Sequence, residues 1–136
     1  GAIRDEGTSR QYVPIEFPAI ADPELVQALS QAAKNRGADF KTGIGHSKDA
    51  FYSEYPQFTA DPEKTKQKWE TMRKSNVLAT EMEDTARLVI GQLRQVRVGC
   101  ACVIVGENVE KEVKITGKPK LDDLIIIALD AMIGLG

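Results

Sequence analysis

Residues 77–85 read Val-Leu-Ala-Thr-Glu-Met-Glu-Asp-Thr, an apolar run that meets a predicted helix start at two carboxylates. Two interpretations of this stretch are open. In the first, Thr80 and Glu83 form an S/T-x-x-E capping box, whose side chains satisfy backbone amides of the first helical turn. In the second, residues 77–80 are a buried parallel strand, so Glu81 and Glu83 lie at its carboxyl end, where open α/β sheets bind their ligands.

Helical patterns alternate with apolar runs along the rest of the chain. Two Asp-Pro pairs, at 22–23 and 61–62, each combine an N-cap residue with proline at the first helical position. They predict a helix over 23–36, which Gly37 ends, and another over 62–74. Strands are predicted over 38–46, 77–81 and 97–106, after extended character over 1–17, and further helices over 83–95 and 119–133. This alternation predicts the α/β class, as a three-layer sandwich with a mixed, mostly parallel sheet flanked by helices.

Length and charge narrow the function classes. The chain of 136 residues suits a single domain over 1–136, with 42% hydrophobic and 28% charged residues as in ordinary globular proteins. A net charge of −2 gives no electrostatic footprint for nucleic acid or for a membrane surface. No apolar segment approaches the ~20 residues of a spanning helix, and no signal-peptide pattern is present. The sequence predicts a cytoplasmic protein without nucleic-acid or membrane partners.

The two cysteines lie in the predicted strand over 97–106. Cys100 and Cys102 are two positions apart, so on a strand their side chains face the same way. His46 is the single histidine of the chain, which leaves too few ligands for a zinc site. We therefore expect both cysteines to be buried as small hydrophobic residues and to bind no metal. His46 itself is expected in a loop close to the site, and not as a base.

Two motifs carry a resemblance to a known family. Residues 47–52 read Ser-Lys-Asp-Ala-Phe-Tyr, and a helix then precedes Thr-Glu-Met-Glu at 80–83. This order resembles the C-terminal half of nucleoside phosphorylases of the uridine and hexameric purine nucleoside phosphorylase type. The opening Gly-Ala-Ile-Arg, Pro-Ile-Glu-Phe-Pro-Ala-Ile-Ala-Asp at 14–22 and Leu-Asp-Asp-Leu-Ile-Ile-Ile-Ala-Leu at 121–129 agree in order and spacing, so the resemblance covers the whole chain.

The resemblance implies an enzyme that cleaves the N-glycosidic bond of a nucleoside with inorganic phosphate. The products are ribose 1-phosphate and a free base, and phosphate is a co-substrate, so no cofactor is expected. By matching position, Glu83 is the catalytic carboxylate and accepts hydrogen bonds from the ribose 2′- and 3′-hydroxyls. Met82 packs against the sugar, and Glu81 orients this ribose-binding group from its edge. Phe51 stacks on the base.

Two positions depart from the family pattern and leave the base open. Uridine-specific members follow Phe-Tyr with a glutamine and an arginine that bind the pyrimidine, whereas here Gln57 alone lies close. Purine-specific members carry an aspartate general acid after the Val-Ile-Val strand, whereas this chain has Glu107 there. Glu107 can protonate a purine if it points inward. Gln57 and Glu107 are therefore the candidate base-binding residues besides Phe51.

The family binds phosphate with a glycine-rich turn and arginines from the N-terminal half of a longer subunit. Arg4 and Arg10, the early arginines here, do not lie in such a loop. We interpret the chain as the C-terminal half of a larger single domain that works with an N-terminal half, in cis or as a partner chain. A homo-oligomer, dimer or hexamer, is implied. Two alternatives stay open: a nucleosidase that uses water, and a non-catalytic nucleoside-binding module.

Overall fold

The computed structural model describes residues 1–109, 112–115 and 121–135, and of residues 107–109 and 112–115 it describes the backbone. The strands are β1 (Ala2–Asp5), β2 (Ile44–Lys48), β3 (Val77–Glu81), β4 (Gly106–Val109) and β5 (Glu112–Ile115). The helices are α1 (Pro23–Asn35), α2 (Pro62–Lys74), α3 (Asp84–Leu93) and α4 (Leu121–Gly134). Within this described part, no helix is long and apolar enough to cross a membrane.

The chain divides into two compact units. The first combines Gly1–Ala21 with Lys41–Val98, and the second combines Asp22–Phe40 with Gly99–Gly136. The single domain expected over 1–136 stays a prediction.

A parallel sheet forms the centre of the first unit. Its strand order is β1-β2-β3, and both pairs run parallel, with Asp5 opposite Lys48 and Ser47 opposite Glu81. Helix α3 packs against β1 and β2, and α2 packs against β3. The buried side chain of Val89 lies on α3. This parallel sheet flanked by helices confirms the predicted α/β class.

Both Asp-Pro pairs start helices as predicted. The Asp22 carboxylate accepts a hydrogen bond from the Leu25 amide at 2.9 Å, and the Asp61 carboxylate accepts one from the Lys64 amide at 3.0 Å. These caps satisfy amides that have no acceptor within the first turn. Gly37 follows α1 with a positive φ of 64°, a conformation that glycine adopts without steric cost.

Helices α1 and α4 form the core of the second unit. Their buried side chains are small or apolar, namely Ala32, Ala33, Ile127 and Ala131. Arg36 and Asp130 add an ion pair of 2.9 Å between the helices. Strands β4 and β5 pair antiparallel, in a two-stranded sheet separate from the parallel one.

The predicted extended segments at 1–17 and 38–46 are wrong in their bounds. Strand β1 ends at Asp5, because the following residues turn into a 3-10 helix over Ser9–Gln11. Strand β2 covers Ile44–Lys48, because these residues lie opposite β1 and β3 in the hydrogen-bonded ladders. Partner strands, and not the local apolar pattern, decide where each strand begins and ends.

The predicted strand over 97–106 is also wrong. Residues 97–105 form no regular strand, and β4 begins at Gly106. Their β-branched residues favour extended backbone, but a strand needs a ladder partner, and none of the described strands pairs with them. Cys100 is partly exposed and Cys102 is exposed, so the expectation of buried cysteines is wrong as well.

Candidate functional site

Polar side chains gather where the three parallel strands end. Because β1, β2 and β3 run in the same direction, their carboxyl ends Asp5, Lys48 and Glu81 meet at one edge of the sheet. Open parallel sheets bind ligands outside this edge. The two motifs that the sequence singled out, around Phe51 and Glu83, directly follow β2 and β3 and therefore share this edge.

Glu81 caps helix α3 from the end of β3. One of its carboxylate oxygens accepts hydrogen bonds from the Glu83 amide at 2.5 Å and the Asp84 amide at 2.6 Å. The other oxygen accepts the Ser47 hydroxyl. The Thr80–Glu83 capping box is therefore wrong: Glu83 is the N-cap residue by position, but its side chain makes no capping bond. Both oxygens of Glu81 are held by the protein, while its predicted contact with ribose stays a prediction.

A buried polar network lies beneath this turn. The Ser47 hydroxyl accepts the Thr85 amide at 3.0 Å, and the Thr85 hydroxyl donates to Glu6 at 2.8 Å. The Ser9 amide donates to the second Glu6 oxygen at 2.8 Å. Burial raises the pKa of Glu6, but the hydrogen bonds from Ser9 and Thr85 outweigh it and hold that pKa below its ordinary value. The turn after β3 therefore rests on an ionised, fully hydrogen-bonded carboxylate.

Glu83 and Met82 are left exposed by this arrangement. The Met82 side chain is 37% exposed, and Glu83 is exposed as well. The Glu83 carboxylate makes no hydrogen bond or ion pair with any residue that the structure describes, although its backbone carbonyl accepts the Arg87 amide at 3.2 Å. A carboxylate in this position can accept two hydroxyl donors from a ligand. The predicted ribose contacts of both residues stay predictions.

Four aromatic rings follow β2 on the other side of the site. Phe51 and Tyr52 lie on a 3-10 helix over Phe51–Glu54, Phe58 lies on another over Pro56–Phe58, and Tyr55 lies between the two. The centroids of neighbouring rings are 5.5–6.4 Å apart. Phe51 is 48% exposed, and an exposed aromatic ring can stack on a heterocycle. Gln57 is also exposed, on the second of these short helices. The side chain of Glu107 lies outside the described part of the structure. The base-binding roles of all three stay predictions.

Lys48 joins the two sides of the site. Its ammonium lies 2.5 Å from a Glu54 carboxylate oxygen, donates to the Thr80 hydroxyl at 3.2 Å and lies 6.0 Å from the centre of the Phe51 ring. The Lys48 side chain is 5% exposed. We did not predict this residue from the sequence, although it stands in the same motif as Phe51. The sequence did offer a signal for it, namely a lysine at the end of a short strand directly before an aromatic motif.

His46 is buried in β2, so its predicted loop position is wrong. Its ring is 0% exposed, with Nδ1 3.0 Å from the Thr80 hydroxyl and Nε2 2.8 Å from an Asp5 oxygen. Trp69 packs edge-on against the ring at 5.4 Å. Burial raises the pKa of Asp5, but hydrogen bonds from Lys68 and His46 outweigh it and hold that pKa below its ordinary value.

The early arginines have structural partners. The Arg4 guanidinium donates to the backbone carbonyls of Val13, Pro14, Ile15 and Phe17 and to the Ser9 hydroxyl. Arg10 reaches the Arg4 carbonyl at 3.5 Å. Arg4 therefore holds the loop after β1, a role that the sequence did not predict.

The part of the chain that the structure describes shows no metal site at this edge of the sheet, and an open cleft is lined by other residues. Among the described residues, no group of three His, Cys, Asp or Glu side chains is arranged to hold a metal ion. An open cleft of about 600 Å³ lies in the second unit, beside the end of α1 and α4, and its lining includes none of the predicted site residues. The strand ends of the first unit therefore remain the candidate site.

Comparisons with known proteins agree with this arrangement. The sequence model of the family described as the phosphorylase superfamily matches residues 1–129. The uridine phosphorylase of Treponema pallidum is 38% identical over 112 residues, which are 82% of this chain and 43% of that protein. The uridine phosphorylase of Thermococcus kodakarensis is 31% identical over 140 residues, which are 96% of this chain and 47% of that protein.

A more distant relative and a solved structure extend the comparison. The guanosine phosphorylase of Halorubrum lacusprofundi is 28% identical over 144 residues, which are 99% of this chain and 56% of that protein. The crystal structure of AMP nucleosidase from Bacteroides thetaiotaomicron has the same fold, with a TM-score of 0.68 and 20% identity over 98% of this chain and 49% of that one. The chain spans about half the length of the curated relatives it matches. Since the family match covers nearly the whole sequence, the chain belongs to the phosphorylase superfamily.

Proposed function

We propose that the complete protein is a nucleoside phosphorylase, most like uridine phosphorylase. It cleaves the N-glycosidic bond of a nucleoside with inorganic phosphate and releases ribose 1-phosphate and the free base. Membership of the phosphorylase superfamily supports this proposal, as do the relatives whose names are uridine or guanosine phosphorylase. No cofactor is proposed beyond phosphate as co-substrate.

The exposed Glu83 carboxylate is the observation on which the proposal rests. It lies at the carboxyl end of β3, next to the start of α3, and no described residue occupies its oxygens. In the proposed complex it accepts the ribose 2′- and 3′-hydroxyls, while Met82 covers the sugar. A sugar held in this way keeps C1′ fixed as the base departs and phosphate attacks. Glu81 sets the position of the Glu83 backbone.

The base is proposed to stack on Phe51, with Gln57 or Glu107 as polar partners. The phosphate site is proposed to come from the N-terminal half, since Arg4 already donates to a backbone loop. A homo-oligomer in which subunits complete each other's sites is part of the same proposal. The cytoplasmic location stays a prediction.

The test measures release of free base from uridine and inosine by the complete protein, with and without phosphate. We expect turnover that requires phosphate. Glu83→Ala should lower kcat/KM by about 10- to 100-fold, because two charge-assisted hydrogen bonds to the sugar are lost. Glu63→Ala is the matched control, since Glu63 lies on the exposed face of α2 and pairs with Lys66. Its kcat/KM should stay at the wild-type value.

Three outcomes would contradict the proposal. Equal turnover without phosphate would make the enzyme a nucleosidase. Nucleoside binding without turnover would make it a non-catalytic binding module. Equal activity of Glu83→Ala and Glu63→Ala would remove Glu83 from the site.

A further inference from the structure

Lys48 is a buried cation with two polar partners on different elements. Its side chain is 5% exposed, and the Glu54 side chain, whose carboxylate lies 2.5 Å from Nζ, is 13% exposed. Lysine is seldom buried unless its charge is paired. Its second partner, the Thr80 hydroxyl at 3.2 Å, lies on β3 directly before Glu81. Lys48 therefore links Glu54, in the 3-10 helix after β2, to the strand that ends at the proposed ribose site.

The segment that Glu54 belongs to has few other anchors. Phe51 begins the 3-10 helix that Glu54 ends. The other hydrogen bonds of this helix are local, from the Ser53 hydroxyl to the Ala50 carbonyl at 2.6 Å and from the Tyr55 amide to the Tyr52 carbonyl at 3.2 Å. Because Phe51 is about half exposed, burial does not hold its ring in place. The Tyr52 and Tyr55 rings that pack against it, at 5.5 and 6.0 Å, belong to the same segment, whereas the Lys48 ammonium, 6.0 Å from the ring centre, belongs to strand β2.

Thr80, the second partner of Lys48, is itself held by hydrogen bonds. The Thr80 hydroxyl donates to the His46 carbonyl at 3.1 Å and lies 3.0 Å from the His46 ring. That ring in turn contacts Asp5 on β1 at 2.8 Å. All three strands of the parallel sheet therefore contribute to the position of Thr80, and through it to the position of Lys48.

We infer that Lys48 is a positioning residue that holds Phe51 over the nucleoside base. The inference rests on the proposed function, in which Phe51 stacks on the base. A stacking contact is made both in the ground state and in the transition state, so its loss raises KM and leaves kcat nearly unchanged. Lys48 acts through Phe51 and Glu54, without touching the reacting atoms.

The test is a double-mutant cycle in the complete protein, with the Kd for uridine measured by titration calorimetry without phosphate. We expect Phe51→Ala to raise Kd about tenfold, as the loss of one aromatic stack on a base does. Lys48→Met should raise it by a similar factor, and the double variant should be no weaker than Phe51→Ala alone. In the steady state, Lys48→Met should raise KM for uridine about as much as Kd while kcat changes less than about twofold.

Two further variants keep the test decisive. Glu54→Gln removes the charge partner but leaves Lys48 in place, so it should show the same coupling with Phe51 even if Lys48→Met fails to fold. Lys68→Met is the matched control: Lys68 pairs with Asp5 in the same network, but its ammonium lies 5.8 Å from the Trp69 ring and not beside Phe51. Its effect on Kd should multiply with that of Phe51→Ala, as for independent sites.

The outcomes separate this inference from the proposed function. If uridine cleavage requires phosphate but the effects of Lys48→Met and Phe51→Ala on Kd multiply, the inference is overturned and the function stands. If the effects are coupled in Kd but no phosphate-dependent cleavage occurs, the function is overturned and the inference stands. Absence of any uridine binding by the wild type would overturn both.

Discussion

The turn after β3 and the segment after β2 begin at the same edge of the sheet, but they are held in different ways. Glu81, at the end of β3, accepts two backbone amides and one hydroxyl, over a network of fully buried side chains that includes Ser47 and Thr85. The segment after β2 carries Phe51 and three other aromatic rings, and its links to the rest of the unit include the buried Lys48–Glu54 ion pair and the Asp49 carboxylate, which accepts the Gly7 amide.

This difference suits the two parts of the proposed nucleoside substrate. The sugar is the same in every ribonucleoside, and a hydrogen-bonded turn holds one polar group in one place. Bases differ, and an aromatic face stacks on any of them because every base has a π-face. The names of the relatives, which include uridine and guanosine phosphorylases, agree with a constant sugar side and a variable base side.

The largest expected effect comes from breaking the cap on the β3 side. Glu81→Ala should lower the free energy of unfolding of the complete protein by about 2–4 kcal/mol, because two amides and the Ser47 hydroxyl lose their acceptor. Urea unfolding measures the change, and hydrogen exchange should show faster exchange of the Glu83 and Asp84 amides. Glu81→Gln keeps an acceptor oxygen and should recover part of the loss. Equal stability of Glu81→Ala and wild type would contradict the capping role.

A smaller effect is expected from the buried carboxylate beneath that cap. Because the pKa of Glu6 is lower in the folded protein than its ordinary 4.5, Glu6 contributes stability that is present above pH 4.5. That stability is lost as the pH falls through the folded pKa. Urea unfolding between about pH 7 and pH 3 should therefore show a weaker acid dependence in Glu6→Gln than in wild type. Some acid dependence should remain in Glu6→Gln, because the pKa of Asp5 is also lowered in the folded protein. Identical pH profiles would contradict the prediction.

The smallest expected effect is on the base side. Gln57 is exposed, so Gln57→Ala should change the free energy of unfolding by less than about 0.5 kcal/mol. If its amide binds a pyrimidine, KM for uridine should rise about three- to tenfold while KM for inosine changes less than twofold. Gln67→Ala, on the exposed face of α2, is the matched control. Equal changes for uridine and inosine would show that Gln57 does not read the base.

Local signals in the sequence predicted much of the secondary structure. Asp22 and Asp61 cap helices as expected, because such caps depend on neighbours a few residues away, and β3 covers the predicted residues 77–81. The predicted strand over 97–106 is wrong, because a local pattern cannot show whether a partner strand is present, and no described strand pairs with residues 97–105. His46 was placed in a loop for the same reason: its burial depends on Asp5 and Thr80.

The sequence by itself determined the family, the order of helices and parallel strands, and the edge of the sheet at which Glu81 and Glu83 lie. It left open whether Glu83 caps the helix or faces a ligand. Tertiary structure decided this, because parallel pairing brings Ser47, 34 residues away in the chain, beside Glu81 and engages that carboxylate. The neighbouring Glu83 stays exposed. The Asp22 and Asp61 caps can be read from local spacing, whereas a hydrogen bond between strands forms only after the sheet has set their register.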